Sequence, residues 1–165
     1  MKMELSDLSE SLKSLERGER AARRVLGGAH PETAAFEKSL QNARAALRAR
    51  EKLYRKAIEL DSNNAAAHNN LGLLLQTVQD YDDAEQHYRE AIELDPKHAW
   101  AHNNLGRLLH DVRKDYDGAE KLYRKAIELD PTDVSHANGM AHYYLGLLLD
   151  DVRKDASSPS RVLAV

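Results

Sequence analysis

The sequence predicts an all-α fold in which helical hairpins stack side by side as a solenoid. Three observations predict it: a unit of about 34 residues occurs twice in tandem, apolar residues in each copy recur at three- and four-residue steps, and only 5% of residues are aromatic. Tandem units of this length stack because one unit alone cannot bury its apolar face. A β-sandwich would draw more on aromatic and β-branched residues. The core is therefore expected to consist mainly of leucine and alanine on packed helices.

The duplication is the strongest feature of the sequence. Residues 65–98 align with residues 99–133 over 34 positions, of which 23 are identical, once an inserted residue near Lys114 is allowed. Helical composition alone does not produce such agreement, so the two segments are interpreted as copies of one unit. We call them the first repeat and the second repeat.

Each repeat predicts two helices joined by a short turn. The second helix ends at an Asp-Pro pair, because proline lacks the backbone donor and clashes with the preceding turn. These pairs are Asp95-Pro96 and Asp130-Pro131. The predicted helices cover residues 65–78 and 81–94 in the first repeat and residues 99–112 and 116–129 in the second.

Small and large side chains occupy fixed positions in both repeats. Glycine and alanine let helix backbones approach closely, while leucine and tyrosine fill the space between neighbouring pairs. The positions are Leu71, Gly72, Ala84, Tyr88, Ala91 and Pro96 in the first repeat and Leu105, Gly106, Ala119, Tyr123, Ala126 and Pro131 in the second. This pattern resembles the tetratricopeptide repeat. The resemblance implies a right-handed superhelix of antiparallel helix pairs, with about seven helices in this chain.

The segments outside the repeats extend this architecture. Residues 1–64 are predicted to form a helical hairpin that turns at Gly27-Gly28, with a long helix from Pro31 to Asp61 after the turn. This hairpin is either a cap or a decayed repeat. Within it, residues 26–33 are similar to the linker of kinesin-light-chain-like repeats. Residues 134–155 match the first helix of a truncated third unit, with Gly146 at the signature glycine. Residues 156–165 are predicted to form a flexible tail.

Composition and charge exclude several function classes. The chain has no cysteine, which excludes disulfides and thiolate metal sites. No apolar run reaches the roughly 18 residues of a membrane span and no secretory signal is visible, so a cytoplasmic protein without membrane contacts is expected. Residues 1–60 carry 13 Lys and Arg against 9 Asp and Glu, whereas residues 61–165 carry 11 against 18. Because glutamates interrupt the arginine-rich stretch and no aromatics accompany it, nucleic-acid binding is not predicted.

The sequence shows no arrangement typical of catalysis. It has no glycine-rich phosphate loop, no serine nucleophile elbow and no isolated carboxylate pair, so neither an enzyme nor a cofactor is predicted. His68, His102 and His142 recur because the repeat recurs, and each is interpreted as a packing histidine. His98 and His102 are four residues apart but lack the glutamate of a zinc-protease helix. No metal site is therefore predicted.

The resemblance implies a peptide-binding groove on the concave surface, lined by the first helix of each pair. It assigns to this groove Asn69, Asn70, Leu73, Trp100, Asn103, Asn104, Arg107, Tyr143 and Tyr144, with Thr77, Asp111, Met140, Leu147 and Asp151 on the same helices. Asn70 and Asn104 stand at the position of the asparagine ladder in the repeats of O-linked N-acetylglucosamine transferase. An amide donates and accepts, so it can pair with any peptide backbone, although these residues could equally be inherited with the repeat. The family's carboxylate clamp is not predicted, because Asn69 and Leu73 occupy its first positions.

Three hypotheses for function follow. The first is a protein-protein interaction module, a scaffold whose groove binds an extended segment of a protein or peptide ligand. The alternative is a structural or assembly protein that docks on a partner, or self-associates as a homo-oligomer, through the uncovered helix at residues 140–154. The third is a targeting segment that selects substrate or cargo for a larger transferase or motor assembly.

Overall fold

The protein is a stack of antiparallel helix pairs. The computed structural model describes residues 5–131 and 137–156, and within these ranges it contains seven α-helices and no strand. The helices are α1 (Leu5–Leu26), α2 (Pro31–Leu60), α3 (Ala65–Thr77), α4 (Tyr81–Leu94), α5 (Ala99–Leu108), α6 (Tyr116–Leu129) and α7 (Ala137–Ala156). The all-α class and the expected number of helices are confirmed.

Side chains just before several helices explain where those helices begin. The Asn64 side chain accepts a hydrogen bond from the backbone N–H of Ala67 at 2.9 Å, and the Asp115 side chain accepts one from Gly118 at 3.0 Å. Each bond satisfies a backbone donor that the first turn leaves without a partner. Pro31 opens α2, at a position where the missing N–H costs nothing.

Each repeat is closed by a tyrosine ring packed on a glycine. A Cβ atom added to Gly72 would lie 2.9 Å from the Tyr88 ring, and one added to Gly106 would lie 2.9 Å from the Tyr123 ring. Both tyrosines are fully buried. Small-against-large packing is therefore present, but each ring lies on the glycine of its own helix pair, whereas the sequence interpretation placed it between neighbouring pairs.

The apolar core has two parts. The main cluster runs through both repeats, where Tyr54 of α2 packs at one end and Leu148 of α7 at the other. A smaller cluster of Leu12, Leu40 and Leu47 holds α1 against α2. The long helix α2 therefore belongs to the hairpin through its first half and to the repeat stack through its second half.

The second repeat departs from the predicted helix over residues 99–112. Its α5 ends at Leu108 and continues as a π-helical turn, Leu109–Arg113, which Lys114 ends in the left-handed conformation at φ 59°. The Leu109 carbonyl accepts from the Asp115 N–H at 3.0 Å. The inserted residue explains the difference, because a wider turn absorbs one extra residue without moving α6.

The third-unit helix also differs from its predicted bounds. It begins at Ala137, before Met140, and continues to Ala156. Residues 157–165 of the predicted tail lie outside the described residues. Among the helices of the described ranges, none combines the length and the apolar character needed to cross a membrane.

Candidate functional site

A central groove lies where the first helices of the three units meet α1. Helices α3, α5 and α7 each contribute side chains, and α1 closes one side. Its volume is about 300 Å³, at the lower end of the range for ligand sites. The central groove is lined by Lys13, Leu73, Gln76, Thr77, Tyr81, Arg107, Asp111, Val112 and Tyr144.

Arg107 is the main polar group of the central groove. Its guanidinium donates to Gln76 Oε1 at 3.3 Å and to the Tyr144 hydroxyl at 3.4 Å, and its Cζ lies 5.9 Å from the centre of the Tyr144 ring. The Tyr88 hydroxyl donates to the same Gln76 oxygen at 2.8 Å. Burial opposes the charged form, but the hydrogen bond with Tyr144 and the electrostatic contributions of Tyr144, Tyr88 and Asp111 together outweigh it, and the pKa of Arg107 is raised. The cation is therefore retained in a partly desolvated position.

One donor of this guanidinium is not used. Arg107 Nε is buried and makes no hydrogen bond within the described part of the chain. A buried donor without a partner costs about 1–3 kcal/mol, and more on a charged group.

The asparagines make a different contact from the expected one. Asn104 Nδ2 of α5 donates to Asn69 Oδ1 of α3 at 3.0 Å, and both residues are buried. Asn103 is 1% exposed, and its Oδ1 has no partner among the described residues. Asn70, the predicted ladder position, is half-buried. The amide of Asn104 therefore joins the two repeats rather than standing free in the groove.

The other predicted groove residues divide into two sets. Leu73, Arg107 and Tyr144 line the central groove, and so do Thr77 and Asp111. The predicted groove residues that are exposed but do not line the central groove are Trp100, Met140, Tyr143 and Leu147. The side chain of Asp151 lies outside the described residues.

Four lining residues were not predicted: Lys13, Gln76, Tyr81 and Val112. Gln76 follows Leu73 by three residues, so its position on the same face of α3 could have been read from the helical period. Lys13 carried no such signal, because it reaches the groove only through the packing of α1 near α3.

The face of α7 that corresponds to the covered faces of α3 and α5 is open. Among the described residues, nothing lies within 4 Å of a Cβ added to Gly146, whereas Gly72 and Gly106 meet tyrosine rings. Leu149 is 45% exposed, although Leu75 at the same repeat position is 3% exposed. We call Gly146 and Leu149 the open face of α7.

A second polar cluster lies between α3 and α4 of the first repeat. His68 Nδ1 is 3.1 Å from His87 Nδ1 and 2.9 Å from Glu90 Oε2, and His87 Nδ1 is 3.0 Å from the same oxygen. Burial lowers the pKa of His87. Burial raises the pKa of Glu90, but the Gln86 amide and the two imidazoles outweigh it, and the pKa is lowered overall. The cluster was not predicted, although His87 and Glu90 stand three residues apart on one helical face.

Comparison with known proteins agrees with this architecture. Residues 63–132 match the tetratricopeptide repeat family. The fold is a tetratricopeptide-type α-solenoid. The sequence resemblance to these repeats is confirmed, and the similarity of residues 26–33 to a kinesin-light-chain-like linker stays a prediction. Among curated proteins, none matches this sequence.

Three solved structures show the same fold. The Sgt2 TPR domain from Aspergillus fumigatus has a TM-score of 0.56 at 21% identity, over 90% of this chain and 85% of that one. The first TPR of Spaghetti (RPAP3), bound to an HSP90 peptide, has a TM-score of 0.56 at 16% identity, over 88% and 95%. The O-GlcNAc transferase of Thermobaculum terrenum has a TM-score of 0.53 at 22% identity, over 90% of this chain but 23% of the transferase. At these identities the likeness concerns the fold alone.

Proposed function

We propose that this tetratricopeptide-type protein is an interaction module whose central groove binds an extended peptide segment of another protein. The observation that carries the proposal is Arg107, a partly exposed side chain that lines the central groove and keeps its positive charge there. A backbone carbonyl or a carboxylate of a peptide is a suitable acceptor for this cation.

The remaining lining of the groove fits the same ligand class. Leu73 and Val112 offer apolar contacts, and Tyr144 offers a ring that its packing with Tyr123 keeps in place, at a centroid separation of 5.9 Å. Thr77 and Gln76 add polar atoms beside them. An extended peptide, with alternating side chains and regularly spaced backbone groups, matches such a mixed surface.

One of the solved structures supports a peptide as the ligand class, because the first TPR of Spaghetti is bound to an HSP90 peptide. Asn70, Trp100 and Tyr143 are proposed as further contacts for a longer peptide, because Trp100 and Tyr143 are exposed. Exposed aromatic residues provide much of the binding energy in such interfaces.

The test replaces Arg107 with the residue that the first repeat carries at the same position, Leu73. Peptides are first selected from a displayed random library against the full chain, and their affinities are measured by isothermal titration. Loss of a charged hydrogen bond costs about 1.5–3 kcal/mol, so Arg107→Leu is expected to weaken binding at least about tenfold.

The control is Arg89→Leu, which removes an exposed arginine of α4. Arg89 forms an ion pair with Glu85 at 2.7 Å, and neither residue lines the central groove. It is expected to leave peptide affinity unchanged. Equal affinity for the wild type and Arg107→Leu, with both proteins folded, would contradict groove binding at this residue.

A second candidate function is self-association through the open face of α7. It is favoured by Gly146, where no described residue takes the place of the rings that Gly72 and Gly106 each meet. An apolar helix face without a covering helix promotes association. Analytical ultracentrifugation is expected to show a concentration-dependent oligomer that Leu149→Lys abolishes. A monomer at every concentration would exclude self-association.

A further inference from the structure

We propose that His68, His87 and Glu90 form a binding site for a divalent transition-metal ion of the zinc class, between α3 and α4 of the first repeat. The site shares no residue with the central groove, so it is independent of the function proposed above. Its expected role is to cross-link the two helices of the first repeat.

The spacing of the three ligand atoms fits such an ion. His68 Nδ1, His87 Nδ1 and Glu90 Oε2 form a triangle with edges of 3.1, 2.9 and 3.0 Å. Zinc binds imidazole nitrogen and carboxylate oxygen at about 2.0–2.2 Å in tetrahedral geometry, which separates neighbouring ligand atoms by about 3.3–3.6 Å. Outward shifts of a few tenths of an ångström would place the three atoms on one face of a tetrahedron.

Hydrogen bonds alone do not satisfy this triangle. If both Nδ1 atoms carry hydrogens, both donate to Glu90 Oε2, and two N–H groups then face each other at 3.1 Å. If one Nδ1 atom lacks its hydrogen, its lone pair faces the carboxylate oxygen instead. One of the three contacts is therefore repulsive in either arrangement. A cation at the centre makes all three attractive.

The surroundings are those of an open metal site. The exposed fraction of the side chains rises from 9% at His68 to 18% at His87 and 33% at Glu90, so a fourth position faces solvent. Gln86 Nε2 donates to Glu90 Oε1 at 3.0 Å, which leaves Oε2 directed at the imidazoles. Outer hydrogen bonds of this kind orient metal ligands.

Charge around the site also permits a cation. Two neutral imidazoles and one carboxylate leave a bound divalent ion with a single net positive charge. The positive charge of Arg55, on α2, disfavours a positive charge at His87, but Arg55 is itself paired with Glu51 at 3.0 Å.

The second repeat contains a natural control for this site. It keeps the histidine, as His102, but has Leu122 and Lys125 at the positions of His87 and Glu90. His102 Nε2 contacts the Pro96 carbonyl oxygen at 3.0 Å instead. The same fold therefore tolerates leucine and lysine at these two positions, which makes them matched substitutions for the first repeat.

The experiment uses the full chain, stripped with a chelator and desalted. Zn²⁺ is titrated in competition with a chromophoric chelator, and Co²⁺ is used to observe the ligand field by absorption. The wild type is expected to bind one equivalent of Zn²⁺, to give a tetrahedral Co²⁺ spectrum and to melt at a higher temperature with Zn²⁺. Mg²⁺ should not substitute for it.

Three variants decide the origin of any binding. His87→Leu combined with Glu90→Lys is expected to abolish the stoichiometric site, and Gln86→Ala to weaken Zn²⁺ about 10–100-fold. His98→Ala, which removes a histidine of the turn before α5, should bind as the wild type does.

The proposal is overturned if the double variant binds Zn²⁺ as tightly as the wild type, since surface histidines then account for the binding. It is equally overturned if the wild type shows no stoichiometric binding. Should the double variant fail to fold, as judged by circular dichroism, Gln86→Ala and the Co²⁺ spectrum of the wild type decide the question.

Discussion

Helices α3 and α7 carry the same Leu-Gly-Leu-Leu-Leu segment, at residues 71–75 and 145–149, and lie in different surroundings. In α3 the segment is covered by α4, and Leu75 is 3% exposed. In α7 the inner residues Ala141 and Leu148 are buried, but Leu149 is 45% exposed. Burial in this solenoid therefore depends on the neighbouring helix rather than on the helix's own sequence. The same substitution should therefore change the unfolding free energy by different amounts in α3 and in α7.

The largest expected difference concerns the leucine on the matched faces. Leu75→Ala removes a fully packed side chain and is expected to cost about 2–5 kcal/mol of unfolding free energy. Leu149→Ala removes a side chain that is 45% exposed, so a loss below about 1 kcal/mol is expected. Urea unfolding followed by circular dichroism measures both. Similar losses would mean that the open face of α7 is buried in solution.

The glycines should respond with opposite signs. In Gly72→Ala the new Cβ lies 2.9 Å from the Tyr88 ring, and such overpacking costs about 1–3 kcal/mol. In Gly146→Ala the new Cβ meets no described residue within 4 Å, so the better helix former should add about 0.5–1 kcal/mol. Thermal melting of the two variants checks the signs. A destabilised Gly146→Ala protein would show that another helix covers this position.

A smaller difference is expected between the two tyrosines inside the covered pairs. The Tyr88 hydroxyl donates to Gln76 at 2.8 Å, whereas the Tyr123 hydroxyl is buried without a partner in the described residues. Tyr88→Phe is expected to lose about 1 kcal/mol. Tyr123→Phe should be neutral or slightly stabilising, because it removes a desolvated hydroxyl. Chemical unfolding of both variants in one buffer tests this, and equal losses would contradict it.

The smallest effect expected is a pH dependence from His102. Burial lowers its pKa below the ordinary value, and the contact with the Pro96 carbonyl offsets this only in part. At a pH between the pKa of His102 in the unfolded chain, about 6.5, and its lower pKa in the folded chain, the unfolded chain binds more protons. The unfolding free energy is therefore highest above about pH 6.5 and decreases as the pH falls towards the pKa of the folded chain.

The measurement is the urea midpoint against pH, in the presence of a chelator. The wild type should lose stability on acidification through this window, and His102→Gln should lose less. If the two curves are parallel, His102 does not contribute.

Much of the fold could be predicted from the sequence because its signals are local. The Asp-Pro pairs mark the ends of the second helices, and the three- and four-residue apolar steps mark the helices themselves. The long helix predicted from Pro31 to Asp61 is present as Pro31–Leu60. Each of these signals depends on neighbours within one or two turns of the same helix.

The site was less predictable because it depends on how helices are offset. The alignment pairs positions 34 residues apart, whereas the observed contact joins Asn69 to Asn104, 35 residues apart. Lys13 reaches the central groove through the position of α1, which no local period encodes. The duplication does not single out His87, because the equivalent residue of the second repeat is Leu122.

The π-helical turn of the second repeat has a practical consequence. It accommodates one residue more than the first repeat, yet the Asp115 N–H reaches Leu109 O at 3.0 Å much as the Asp80 N–H reaches Leu75 O at 2.9 Å. Chain length can therefore change at this turn while the following helix keeps its place. The turn beside Lys114 is therefore the position in the two repeats where a short inserted tag is expected to disturb the neighbouring helices least.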